Sequence, residues 1–232
     1  MTKPEQLPFD LSPRPAHERE DFWVSASNRD AVAWLDKWPD WPAPVLLITG
    51  PPASGKTHLL QVWKKEAAAK EIFLPQLAAE TLNRTIGDAK EIMIDNATPV
   101  AGDPEQEKAL FHLYNLLRER DGHLLMTAEK PVREWPIRLP DLKSRLQAAP
   151  TVAVGSPDDE LMAVVLTKLF SDRQIFVSQE VVQFILPRLE RSFLAMRQIV
   201  DKIDHRALAE KRPVTIPLVR DVLQEITSFS FL

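Results

Sequence analysis

Residues 45–57 read VLLITGPPASGKT, a short apolar run that leads into a loop with two glycines, a lysine and a threonine. Val45–Thr49 lacks the polar alternation of a half-exposed strand, which is how a strand buried on both faces of a parallel sheet reads. The loop fits G-x-x-x-x-G-K-[ST] at every specified position, and HLLQVWKKEAAAK after it reads as a helix. Strand, loop and helix in this order make a phosphate cradle. Glycines let the backbone wrap closely, and successive N–H groups at the helix N-terminus face the negative charge. The expected nucleotide-binding residues are Gly50, Pro51, Pro52, Ala53, Ser54, Gly55, Lys56, Thr57 and His58, with Lys56 reaching the outer phosphates and Thr57 ligating Mg2+. The expected cofactor is ADP or ATP with Mg2+.

The other half of such a site is expected in EIMIDN, residues 91–96. An acid ending a neighbouring strand can hold the water shell of the magnesium beside the P-loop threonine, and Asp95 is that acid. Thr57 and Asp95 thus form the expected, water-mediated metal site. Next comes Asn96, where a carboxylate would help to activate the attacking water. An amide accepts no proton at neutral pH, so a complete binding loop is expected beside a weakened hydrolytic centre.

Further strand candidates are EIFL at 71–74, HLLMT at 123–127 and TVAV at 151–154, with helical patterns between most of them. The clearest helix spans 104–120. Asp103 is its cap, Pro104 its first residue, and Ala109, Leu110, Leu113, Leu116 and Leu117 its apolar stripe. This alternation implies an α/β parallel sheet sandwiched by helices. After Gly155 only helices are expected: 157–171 behind a Ser156 cap, then 179–189, 193–211 and 217–226. The expected organisation is an extended, proline-rich arm over 1–20, a nucleotide-binding α/β domain over 21–155, and a small all-helical lid domain over 156–232.

Composition narrows the function classes. The chain has 232 residues, 44% hydrophobic and 27% charged, as an ordinary folded protein does. A net charge of −4 argues against a protein whose main task is to grip phosphate backbones. Without cysteine there are no disulfides and no thiolate zinc sites, and the five histidines lack ligand spacing. Lys64, Lys65 and Lys70 are interrupted by Glu66 and Glu71, as on a solvated helix face. With no apolar membrane span and no signal-peptide core at MTKPEQLPFD, the expected location is cytoplasmic, with no membrane partner.

GPPASGKTHLL, IMIDN, HLLMTAEKP and LPDLKSRL, in this order and ahead of a helical domain, resemble the AAA+ module of the bacterial replication initiator DnaA over residues 20–226. Such initiators continue into a helix-turn-helix DNA reader, for which the few residues after the last expected helix leave no room. With QLPFDL in its arm, the chain is similar to the Hda family, the regulatory inactivators of DnaA. The resemblance implies an AAA+ P-loop fold and negative regulation of chromosomal replication initiation. It implies that Gln6, Leu7, Phe9 and Leu11 bind the DNA polymerase III sliding clamp (beta subunit), with DNA reached only indirectly through clamp and DnaA. It places Arg145 as an arginine finger offered in trans to DnaA-bound ATP, and Thr127 as the phosphate sensor, with Glu129 as the alternative. The stretch Phe22–Asn28 would form part of the adenine pocket. One departure stands out: Leu194 or Ala195 falls where the family's lid arginine belongs, with Arg191 and Arg197 nearby. Weak or absent intrinsic ATPase is therefore expected, and homo-oligomerisation is left open. Two other readings remain: an autonomous AAA+ ATPase such as a helicase loader or DnaA-like initiation factor, and a P-loop kinase.

Overall fold

The computed structural model describes residues 23–229, with side chains described for 23–225. The expected arm, including Gln6, Leu7, Phe9 and Leu11, and also Phe22, lies outside the described residues.

Five parallel strands form the sheet: β1 (Val45–Thr49), β2 (Lys70–Glu71), β3 (Glu91–Ile94), β4 (His123–Ala128) and β5 (Thr151–Ala153), in the order β2-β3-β4-β1-β5. The centre is β1, paired with β4 on one side and β5 on the other, and all five of its residues are buried. Successive side chains of a strand point to opposite faces. Val45 and Leu47 accordingly join one core with Ile92, Ile94, Leu124 and Met126, while Leu46 and Ile48 join another with Met93, Leu125 and Val152. Each buried leucine or isoleucine contributes roughly 1.5 to 3 kcal/mol, so covering both faces is what holds the sheet.

On the second face lie α1 (Arg29–Leu35) and α2 (Lys56–Ala67), whose Leu59, Leu60 and Trp63 are buried. The first face carries α3 (Leu82–Ile86), α4 (Pro104–Glu119) and α5 (Pro140–Ala148). The expected cap of α4 is in place: Asp103 accepts from the N–H groups of Glu105 and Gln106, a contact worth about 0.5 to 2 kcal/mol. The lid helices are α6 (Asp159–Asp172), α7 (Gln179–Ile185), α8 (Phe193–Glu210) and α9 (Ile216–Phe229), around a separate core that includes Met162, Phe170, Ile185, Met196, Ile203 and Val219.

Several boundaries differ from the sequence reading for local reasons. The strand expected at 71–74 stops at Glu71, because the chain turns into a short 3-10 segment at Leu74–Gln76 around Pro75. Asp158, not the expected Ser156, caps α6 by accepting from the N–H of Leu161 at 2.9 Å. The helix expected to reach Leu189 ends as α7 at Ile185 and continues as a 3-10 turn around Pro187. Proline has no N–H for the helical ladder.

Candidate nucleotide-binding site and the Arg145 edge

Strand register gathers the P-loop and its companions. Ile48 lies beside Thr127 and Ile94 beside Met126, so the chain leaves β1, β4 and β3 at one end of the sheet, with Gly50, Thr127 and Asp95 together. A Cβ on Gly50 would sit 2.3 Å from the Val154 carbonyl oxygen, so only glycine fits beside the end of β5. Gly55 precedes α2 with φ +97°, a left-handed conformation that glycine adopts readily. No side chain caps α2, which leaves its first N–H groups for an anion.

The Lys56 ammonium donates to the carbonyls of Gly50 at 2.8 Å and Pro51 at 2.7 Å. Burial pushes its pKa below the usual lysine value, against the opposing pull of Glu129 and Asp95. The Ser54 hydroxyl is buried without a hydrogen-bond partner. Uncapped N–H groups, an orphaned hydroxyl and a partly desolvated ammonium in one loop fit a phosphate chain. Pro51, Pro52, Thr57 and His58 are exposed, and Ala53 is half-buried at φ +54°.

Asp95 joins two hydroxyls. Thr57 donates to its Oδ2 at 2.7 Å, and Thr127 donates to its Oδ1. Thr127 is fully buried and also accepts from the N–H of Asn96 at 2.8 Å. Its single hydroxyl proton is engaged by Asp95, so Thr127 stands behind the carboxylate, while Glu129 is exposed and near enough to Lys56 to act on its charge. Asn96 itself has φ +50°, a conformation that asparagine tolerates better than most side chains. An asparagine at this position therefore suits the backbone.

The expected adenine stretch is fastened where the α/β domain meets the lid. Asn28 accepts from the N–H of Ser25 and donates to the Trp23 carbonyl, Gly155 donates to the Ser27 carbonyl at 2.9 Å, and Ser27 donates to Asp158 at 3.3 Å. From the lid, the Phe193 N–H donates to the Ala53 carbonyl at 3.1 Å, and its ring lies 2.9 Å from where a Cβ on Gly55 would be. His58 is exposed at its surface but flanked closely enough that partial desolvation, and after it the charge of Arg197 one turn further along α8, lowers its pKa. Arg191 is instead paired with Asp159 at 2.8 Å, and Leu194 is 57% exposed. Of the two arginines the sequence offered, Arg197 is the one whose charge acts on a residue of the P-loop helix. Sequence reading missed Phe193, whose position at the start of a helix carries no periodic signal.

Arg145 lies elsewhere. It sits in the last turn of α5, beside a pocket lined by Ala43, Tyr114, Asp141, Ser144 and Ala148. Ala43 precedes the start of β1, whereas the P-loop leaves its end, about 16 Å away along a five-residue strand. The guanidinium lies 5.5 Å from the centre of the Tyr114 ring and makes no ion pair with Asp141 among the described residues.

Glu107, also unforeseen, is a buried charge in α4. It accepts from the N–H groups of Gly102 at 2.7 Å, Arg138 at 3.0 Å and Leu139 at 2.8 Å. Burial alone pushes its pKa up, but those N–H groups and the Arg138 charge outweigh it and hold the carboxyl below the usual range. A carboxyl with a folded-state pKa depressed below its unfolded value of about 4.3 stabilises the fold above that value and loses the contribution as pH falls through the folded pKa. Glu107→Gln is thus expected to destabilise the protein by about 1 to 3 kcal/mol at pH 7, because N–H groups are left poorly satisfied. In thermal melts from pH 7 down to 3, the gap to the parent should narrow; a gap constant with pH would refute this account.

Among the described residues no His, Asp or Glu cluster could hold a metal on its own, and no helix is long and apolar enough to cross a membrane. Residues 158–223 match the family described as "Hda, lid domain". An uncharacterised protein of Haemophilus influenzae is 29% identical over 192 residues, covering 79% of this chain and 83% of the relative. Domain III of the Thermotoga maritima replication initiation protein DnaA superposes with a TM-score of 0.77 at 18% identity, covering 88% of this chain and 94% of that one. AMPPCP-bound DnaA from Aquifex aeolicus gives a TM-score of 0.67 at 17% identity, covering 81% and 65%. The five-stranded sheet with its helical lid thus shares the fold of DnaA domain III, and the lid, over residues 158–223, matches the Hda lid family.

Proposed function

We propose that this protein is a regulator of DnaA that holds a nucleotide for structure and contributes its catalytic group to a partner. The observation that carries the reading is the position of Arg145, at the opposite end of the sheet from the chain's own P-loop. Too far away to serve its own nucleotide, Arg145 would act on that of a neighbouring AAA+ subunit. DnaA bound to ATP is the partner that the Hda-type lid suggests. A guanidinium supplied there offsets charge developing on the transferring phosphoryl group.

The chain's own nucleotide, ADP or ATP, would be held by Gly50–Thr57. Thr57 and Asp95 flank the place for Mg2+, which when bound would neutralise phosphate charge. Thr127 acts through Asp95 by fixing its orientation. Asn96 leaves the chain without a carboxylate beside Asp95, which fits weak turnover of its own. The arm would tether this assembly to the sliding clamp through Gln6, Leu7, Phe9 and Leu11, an extended peptide whose apolar side chains fill a preformed groove. In this reading DNA is reached only through clamp and DnaA.

The deciding experiment is ATP-to-ADP turnover on purified DnaA, with and without this protein and DNA-loaded clamp. Acceleration is expected only with all components present, and its absence would remove the reading. Deleting residues 1–12 is expected to abolish co-elution with the clamp; a complex that persists without the arm would refute its role.

A further inference from the structure

We propose that α4 is the mount of the finger, and that Tyr114, assisted by Glu107, is a positioning residue for Arg145. This rests on the proposed role of Arg145 in trans. Glu107 and Tyr114 are seven residues apart, two helical turns, so they lie on the same face of α4. Both meet the neighbouring helix α5 or the loop that leads into it. Near its start, Glu107 accepts from the N–H groups of Arg138 and Leu139, Leu139 being the residue that precedes α5. Near its end, the Tyr114 ring underlies the Arg145 guanidinium, within the roughly 6 Å of a cation–π contact.

The spacings agree on the two helices. Seven residues of α4 cover about 10.5 Å, and the six from Leu139 to Arg145 about 9 Å. Two matched contacts therefore fix both the position of α5 along α4 and the direction of the side chain at its end. Leu139 provides no side-chain cap for α5, so the anchor at its N-terminus comes from Glu107, 32 residues away.

Tyr114 is only 7% exposed and belongs to the core that includes Leu110, Leu113 and Leu117. The guanidinium of Arg145 lies over that buried ring, 5.5 Å from its centre. The ring would limit the swing of a long, flexible side chain before the partner arrives. A poorly placed catalytic group can cost about 10²-fold in rate.

The test is stimulated turnover of DnaA-bound ATP, with clamp on DNA, as a function of the concentration of this protein. Tyr114→Leu is expected to lower the maximal rate by about tenfold or more without changing the half-saturating concentration, and Tyr114→Phe to restore it. Tyr114→Met, which fills core space with a flexible chain, is expected to behave as the leucine variant and serves in its place if that variant fails to fold. An unchanged maximal rate in the leucine or methionine variant would overturn the proposal. So would a raised half-saturating concentration with the maximal rate intact, or a phenylalanine variant as slow as the leucine one. Arg145→Ala in the same assay separates the two levels: full stimulation there removes the finger itself, whereas loss there with normal Tyr114→Leu removes only the mount.

Discussion

Arg145→Ala is expected to abolish stimulated hydrolysis of DnaA-bound ATP, lowering the accelerated rate by about 10³-fold or more, while nucleotide and clamp binding by the altered protein stay as before. The separation of effects follows from geometry. Arg145 lies beside Ala43 and Tyr114 at one end of the sheet, and Lys56, Thr57 and Asp95 cluster at the other. No hydrogen bond or ion pair among the described residues depends on the Arg145 guanidinium, so its removal should leave the thermal midpoint within about 2 to 4 °C of the parent. Unchanged stimulation would sink the assignment. A large fall in the melting temperature would instead show that the side chain holds α5 in place.

Lys56→Ala is expected to weaken ADP or ATP binding by roughly 10- to 100-fold, the cost of one charge-assisted contact to phosphate. The Lys56 ammonium donates to the Gly50 and Pro51 carbonyls, and phosphate oxygens would be stronger acceptors for it. Titration calorimetry with ADP and Mg2+ reads the affinity directly, and binding equal to the parent would refute the P-loop assignment. The same variant separates adaptor from motor. A parent protein that turns over ATP steadily on its own, and loses that activity with Lys56, would favour the autonomous ATPase instead.

How much the sequence disclosed depended on how local each cause was. The P-loop was legible because strand, glycines, lysine and threonine lie within thirteen successive residues, and β1 because burial on both faces leaves an unbroken apolar run. The end of β2 was less legible, since Pro75 acts from outside the apolar run. Nothing near LPDLKSRL announced that α5 would be anchored by a carboxylate from another helix, because Glu107 looks like any exposed acid in a helical first turn until the fold brings Arg138 and Leu139 to it. Asn96 was read as a lost acid. The structure adds a second reason for its identity, a left-handed backbone whose N–H is tied to Thr127. The pairing of Arg191 with Asp159 likewise depends on the packing of α6 against α8, which the sequence does not show.

The contact between Phe193 and Ala53 gives the lid a fulcrum on the P-loop. Because α8 runs 18 residues from that point, it is a lever about 27 Å long. A rotation of about 5° at the loop would displace its far end by about 2 Å, enough to alter side-chain packing there. A slight change of loop shape on filling could therefore be read on a surface far from any phosphate.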